Sequence, residues 1–161
     1  MPTFLLCLKA NLENVEAFKL SGDNHFPLTI QNSEGDDTKE VVVTTQEEIP
    51  LSGSRGTAHF VMKWDKSSKK EAYINVVEIK GVTRDYLEAD NGEFVPMIGF
   101  ECRGVEPIAY RPEDGFLVES TGGKRFEDVD ISEKDWCDFD EDAGVPVGVY
   151  ELESEFRVHK K

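Results

Sequence analysis

The side chains able to do covalent or metal chemistry are few and scattered. The three cysteines, Cys7, Cys102 and Cys137, are far apart, and His25, His59 and His159 fall on separate segments. Arg103 stands beside Cys102, and a neighbouring cation lowers a thiol pKa. The apolar run before Cys102 points instead to a buried, inert thiol. Arg55, in Gly53-Ser54-Arg55-Gly56-Thr57, can offer a cation and exposed amides to an anion. The competing arrangement is a tight turn whose arginine pairs with a carboxylate. The densest chemistry is acidic: Glu127 to Asp142 holds nine acids and one lysine, with Trp136 and Phe139 among them. Asp138-x-Asp140-x-Asp142 has the spacing of a calcium loop. Yet Ala143 occupies the sharp-turn glycine position, and Val149 the place of the closing glutamate. A solvated acidic loop anchored by its aromatic rings fits better. Rings interleaved with acids also suit a protein contact that anchors through apolar area and steers by charge. Trp136, Asp138, Phe139, Asp140 and Asp142 are therefore the candidate partner-binding residues. No nucleophile elbow, phosphate-binding glycine loop or His-Glu-x-x-His is present. No catalytic residue and no cofactor is assigned, and the expected protein is not an enzyme.

The elements that must position these residues read as strands. Apolar runs at 3–12, 40–45, 58–64, 72–81, 94–103, 105–110 and 147–158 are short and mostly alternate with polar residues. Turn signals fall between them at Ser21-Gly22-Asp23-Asn24, Gly53 to Gly56, Asn91-Gly92 and Thr121-Gly122-Gly123. That spacing predicts an antiparallel, all-β sandwich or barrel. Period two is nearly complete from Gly148 to Val158 and slips near Ser154, which predicts a bulge there. Helical signals are weak: two turns over 83–90 and one over 131–136.

Composition narrows the function classes. A hydrophobic fraction of 39%, with 10 Phe, 4 Tyr and 2 Trp among 161 residues, supports one ordinary core. A net charge of −15, from 33 acids against 18 bases, repels phosphate backbones, so no nucleic acid is expected as partner. The densest basic run, Lys63 to Lys70, has four lysines interrupted by Asp65. Nothing approaches the roughly 18 apolar residues of a membrane span, so no membrane is expected either. Phe4-Leu5-Leu6-Cys7-Leu8 is too short for the apolar core of a signal peptide. An odd number of scattered cysteines then suggests free thiols in the reducing cytosol.

Several stretches together resemble one family. They are Leu8 to Asn14, Gly53 to Ala58, Phe100-Glu101-Cys102-Arg103-Gly104-Val105-Glu106-Pro107, Asp135 to Glu141 and Val147 to Glu151. The family is that of the CXXC-motif-containing zinc-binding proteins, small eukaryotic proteins without an established enzymatic activity. The resemblance runs in order from Leu8 to Phe156, and Cys-Arg-Gly-x-Glu-Pro is its most distinctive piece. The family pattern sets one Cys-x-x-Cys before the Gly-x-Arg-Gly turn and another just after the following strand. A gapless overlay puts those four cysteines on Ile30, Ser33, Trp64 and Ser67. Zinc needs about four S or N donors, and neither Ile nor Trp donates. The resemblance thus implies an all-β sandwich over 1–161, with degenerate zinc-knuckle hairpins within 27–75 and no metal. A structural zinc stabilises by on the order of ten kcal/mol in peptides. Ile30 packed against Trp64 offers a partial substitute, with Ser33 and Ser67 bonding the freed turn amides; the alternative is a loose lobe. His59, together with distant cysteines, is the remaining way to rebuild a metal site. Two functional expectations follow: a cytosolic adaptor that binds another, basic protein, or a small-molecule carrier with an apolar cavity between the sheets.

Overall fold

The computed structural model describes residues 1–21, 24–53 and 55–160. The middle of the Ser21–Asn24 turn and Ser54 of the Gly53–Gly56 turn thus lie outside the described residues. In chain order the strands are β1 (Thr3–Glu13), β2 (Val15–Leu20), β3 (His25–Asn32), β4 (Thr38–Thr44), β5 (Ile49–Pro50), β6 (Thr57–Ala58), β7 (Phe60–Met62) and β8 (Ala72–Val77). Then come β9 (Tyr86–Leu87), β10 (Val95–Arg103), β11 (Val105–Tyr110), β12 (Phe116–Ser120), β13 (Arg125–Val129), β14 (Trp136–Asp140) and β15 (Val145–His159). They form a six-stranded sheet in the order β14-β15-β1-β10-β8-β7, a three-stranded sheet β11-β3-β4, a four-stranded sheet β13-β12-β2-β9 and the small β5-β6 pair. Every ladder among the described residues is antiparallel. The all-β expectation holds.

Burial explains the layering. In β1, Phe4 to Leu8 are all buried, as suits a strand with neighbours on both edges and both faces covered. Phe26 of β3 meets Phe100 of β10 edge-on at 5.3 Å, and Phe18 of β2 stacks on Phe116 of β12 at 5.0 Å. The three larger sheets thus share one apolar core.

Two single residues turn the chain from one sheet to another. Asn14 (φ 54°) leads from β1 into β2, and Gly104 (φ 74°) from β10 into β11. Left-handed backbone is cheap for Gly and tolerated by Asn. A Cβ on Gly104 would also lie 3.1 Å from that of Ala72. This corner is why Cys-Arg-Gly-x-Glu-Pro is so particular a stretch.

Three local expectations change. The 83–90 segment forms β9 and a single 3-10 turn, Glu88–Asp90, in place of two helical turns. There Arg84 grips Asp90 with two bonds of 2.6 and 2.7 Å, and Asp90 also accepts the Leu87 amide at 2.9 Å. The 131–136 segment is a turn, capped by Asp130 on the Ser132 amide and completed by Lys134 at φ 67°. The bulge in β15 sits at Glu151 (φ 55°), opposite the slip between Lys9 and Asn11, and not at Ser154.

Candidate functional site

Two regions hold the residues singled out by sequence. In the first, Ile30 is fully buried in β3, opposite Pro107 of β11 and Lys39 of β4. Trp64 follows β7, half-buried against the same core, and its indole Nε1–H donates to the Gly104 carbonyl at 2.9 Å. The Ser33 amide donates to that same carbonyl at 3.3 Å. One oxygen therefore ties both knuckle hairpins to the β10–β11 corner. Ser67 turns elsewhere: its hydroxyl and amide both donate to Asp65, at 2.8 and 3.0 Å, and these bonds hold the Asp65 carboxyl below its usual pKa.

Ile30 belongs to the main core, Trp64 leans on that core, and a backbone carbonyl links the hairpins. The serine hydroxyls do not serve the turn amides as expected; Ser33 bonds through its backbone. No side chain at the four overlaid positions offers a thiolate, and Ile30 and Trp64 offer zinc no lone pair. Among the described residues, no group of three His, Cys, Asp or Glu is placed to hold a metal ion. His59 Nδ1 accepts the Val76 amide at 2.8 Å, which occupies one of its two ring nitrogens.

In the second region, β14 is the outer strand of the six-stranded sheet. Trp136 is half-buried, edge-on to Phe126 at 5.2 Å. Phe139 is 47% exposed, and Cys137, Asp138 and Asp142 are exposed with it. Asp140 is the correction to the candidate set: it is buried and unable to face a partner. Its carboxylate accepts the Ser120 hydroxyl at 2.7 Å and the Ala143 amide at 3.2 Å. These bonds, with help from the Asp142 amide and Lys124, hold its pKa below the ordinary value. Gly122 packs on it so closely that a Cβ there would lie 2.7 Å from Asp140 Oδ2. Nothing in the local pattern warned of this: Cys137, Asp138 and Phe139 are all exposed before it, and its burial depends on Ser120 of β12.

The other candidates resolve simply. Arg55 is exposed in the β5–β6 turn, and no ion pair ties it among the described residues. Cys102 is buried, its thiol donates to the Phe100 carbonyl at 3.6 Å, and its pKa is pushed up to about 12 by burial, then by Glu106 and Glu101. Burial raises Cys7 as well. Burial with a raised pKa keeps a thiol from ionising and so makes it a poor nucleophile at neutral pH. No helix among the described residues is long and apolar enough to cross a membrane.

These features define a class: an all-β scaffold bearing two knuckle-like hairpins pinned at a glycine corner. The chain belongs to the family described as CXXC motif containing zinc binding protein, eukaryotic, which matches residues 5–157. It is 39% identical over 155 residues to a UPF0587 protein of Nematostella vectensis, covering 94% of this chain and 95% of that one. It is 35% identical over 156 residues to the CXXC motif containing zinc binding protein of Bos taurus, at the same coverages. The solved structure of a hypothetical protein from Plasmodium falciparum is 34% identical and superposes with a TM-score of 0.91 over 98% of this chain and all of that one. Coverage this complete makes the likeness one of the whole fold and not of a motif.

Proposed function

We propose that this chain is a metal-free member of its family and acts without catalysis, as a cytosolic adaptor that binds a basic protein segment along β14. The outer edge of β14 carries this reading. Exposed Phe139 offers an apolar anchor, while Asp138 and Asp142 supply negative charge at its sides. A strand at the margin of its sheet can accept an added strand from a partner through its main chain; at Phe139 the amide donates to Asp138 Oδ1 and the carbonyl accepts the Lys124 ammonium, so an added strand competes with these side chains. The net charge of −15 favours encounter with a basic partner. The three free cysteines suit a reducing compartment.

The metal-free part rests on the donor set: an aliphatic, an indole and two serines, one of them turned onto Asp65. Elemental analysis of untagged protein purified under reducing conditions should find no zinc above background, with or without added zinc. One zinc per chain would overturn this part. For the adaptor part, Phe139→Ser combined with Asp138→Lys and Asp142→Lys should abolish the associations of the native protein while leaving its melting temperature within a few degrees. Associations unchanged in that variant would overturn the β14 assignment.

A further inference from the structure

We propose that Asn91 is a site of covalent modification under conformational control: its amide converts to isoaspartate only when the loop from Tyr86 to Glu93 lifts off β1. The chemistry follows from the residue and its neighbour. Asn91 is exposed, and it is the only asparagine of the chain followed by glycine. Gly92 has no Cβ to hinder its nitrogen on the way to the preceding side chain. That nitrogen, after giving its proton to solvent base, attacks Asn91 Cγ and closes a five-membered imide. The side-chain nitrogen takes up a proton and leaves as ammonia. Water then adds to one of the two imide carbonyls, and the C–N bond that breaks returns a proton to nitrogen. Opening on one side gives aspartate; opening on the other gives isoaspartate, whose main chain runs through Cβ.

The closed loop holds the reacting groups apart. β10 pairs with β1 as far as Val95 opposite Leu8. Beyond that point the loop becomes the neighbour of β1. The Gly92 amide donates to the Ala10 carbonyl at 3.0 Å, and the Leu12 amide donates to Asn91 Oδ1 at 2.6 Å. The attacking N–H and the carboxamide under attack are thus both committed to β1. A ψ of 122° at Asn91 also turns the Gly92 nitrogen away from the side chain. Ring closure needs that nitrogen eclipsed with Cβ, a rotation into sparsely allowed backbone space that breaks the bond to Ala10. Tyr86 fastens the loop from inside. It is fully buried, and its hydroxyl reaches the Asp90 and Glu93 carbonyls at 2.7 Å each and accepts the Ala10 amide at 3.2 Å. Asn91 therefore reacts through an opened loop, and the product keeps the loop from closing as before. Isoaspartate adds a main-chain carbon between the two points of attachment, so both bonds to β1 cannot re-form. Its new carboxylate also stands close in sequence to Asp90 and Glu93, where like charges repel.

The test ages full-length protein in mildly alkaline buffer, folded and in urea, and follows conversion at each asparagine by peptide mass mapping. Isoaspartate and aspartate products are separated by chromatography. The unfolded chain should convert at Asn91 ahead of its other asparagines. The folded protein should convert there about ten-fold more slowly or less, in proportion to the time the loop is open. Tyr86→Phe keeps the ring and removes the hydroxyl. It should speed conversion of the folded protein several-fold and raise hydrogen exchange at the Gly92 amide by the same factor. Exchange at Leu6, fully buried and paired on both edges of β1, should stay slow. If Tyr86→Phe does not fold, the wild type in sub-denaturing urea serves, and conversion at Asn91 should follow Gly92 exchange and not Leu6 exchange. The isolated isoaspartate form should lose exchange protection at Leu12 and Gly92. Equal rates in folded and unfolded protein, conversion that follows Leu6, or an isoaspartate form with wild-type protection at Leu12 and Gly92 would each overturn the proposal.

Discussion

The knuckle lobe and the β14–β15 hairpin are each organised around one acceptor, but the acceptors differ in kind. In the lobe it is the Gly104 carbonyl, which receives the Ser33 amide and the Trp64 indole. In the hairpin it is the Asp140 carboxylate, which receives the Ser120 hydroxyl and the Ala143 amide. The first is neutral and indifferent to pH. The second carries a charge that its donors must stabilise. Both segments look like ion loops in sequence, one by family pattern and the other by Asp-x-Asp-x-Asp spacing. In both, residues at the candidate ligand positions are engaged within the protein: Ser33 and Trp64 with Gly104, and Asp140 with Ser120 and Ala143. A ligand-like pattern is therefore weak evidence until the local donors and acceptors have been counted.

The largest test of the comparison restores what the lobe lacks. Ile30→Cys, Ser33→Cys, Trp64→Cys and Ser67→Cys together should give a protein that takes up one zinc per chain. Structural zinc sites contribute apparent binding free energies of about 10–16 kcal/mol in peptides at neutral pH. The restored lobe should accordingly melt higher with zinc than with chelator, whereas the wild type should show no difference. If the four-cysteine protein takes up no zinc, the hairpins do not present those positions to a common point. The lobe would then differ from a zinc knuckle in geometry as well as in donors.

A smaller effect separates the two acceptors by pH. The Asp140 carboxyl titrates below its ordinary value near 3.8 when folded, chiefly through the Ser120 hydroxyl and then the Ala143 amide. Its depressed pKa means that the ionised form is bound more tightly in the fold. That stabilisation is fully present above the unfolded value and fades as pH falls through the lower, folded one. Asp140→Asn should therefore lower the melting temperature by several degrees at pH 7, and the gap from wild type should close as pH drops below about 4. A gap that stayed constant down to pH 3 would mean the carboxylate acts only through shape.

The same contrast shows how much the sequence disclosed. The runs that became β1, β8, β10, β11 and β15 were legible because each keeps its alternation or a continuous apolar stretch. β3 was not, since Phe26, Pro27 and Leu28 are buried in succession and a proline argues against a paired strand. β13 was hidden by Asp128 at φ 51°, which breaks its alternation, and β14 by its own acids. At the site, the inert Cys102 and the exposed Phe139 were readable from local context. Asp140 was not, because its burial depends on Ser120, which lies on another sheet. The amide of Asn91 was equally silent: nothing in a turn sequence tells that its oxygen will take the Leu12 N–H.

The smallest effect probes the neutral acceptor itself. Trp64→Phe keeps most of the ring packed against the core but removes the one N–H that reaches Gly104. The carbonyl retains the Ser33 amide, so the loss is that of a single net hydrogen bond, about 1 kcal/mol. For a chain of this size that corresponds to roughly 2–4 °C in melting temperature. Because neither partner titrates, the deficit should be the same at pH 7 and pH 3, unlike that of Asp140→Asn. Trp64→Ala, which also removes the packing, should cost more than Trp64→Phe. If the two variants were equally destabilised, the indole bond would carry all of the contribution from Trp64 and ring burial none. If Trp64→Phe cost nothing, burial alone would hold the lobe, and the parallel between the two acceptors would fail at Gly104.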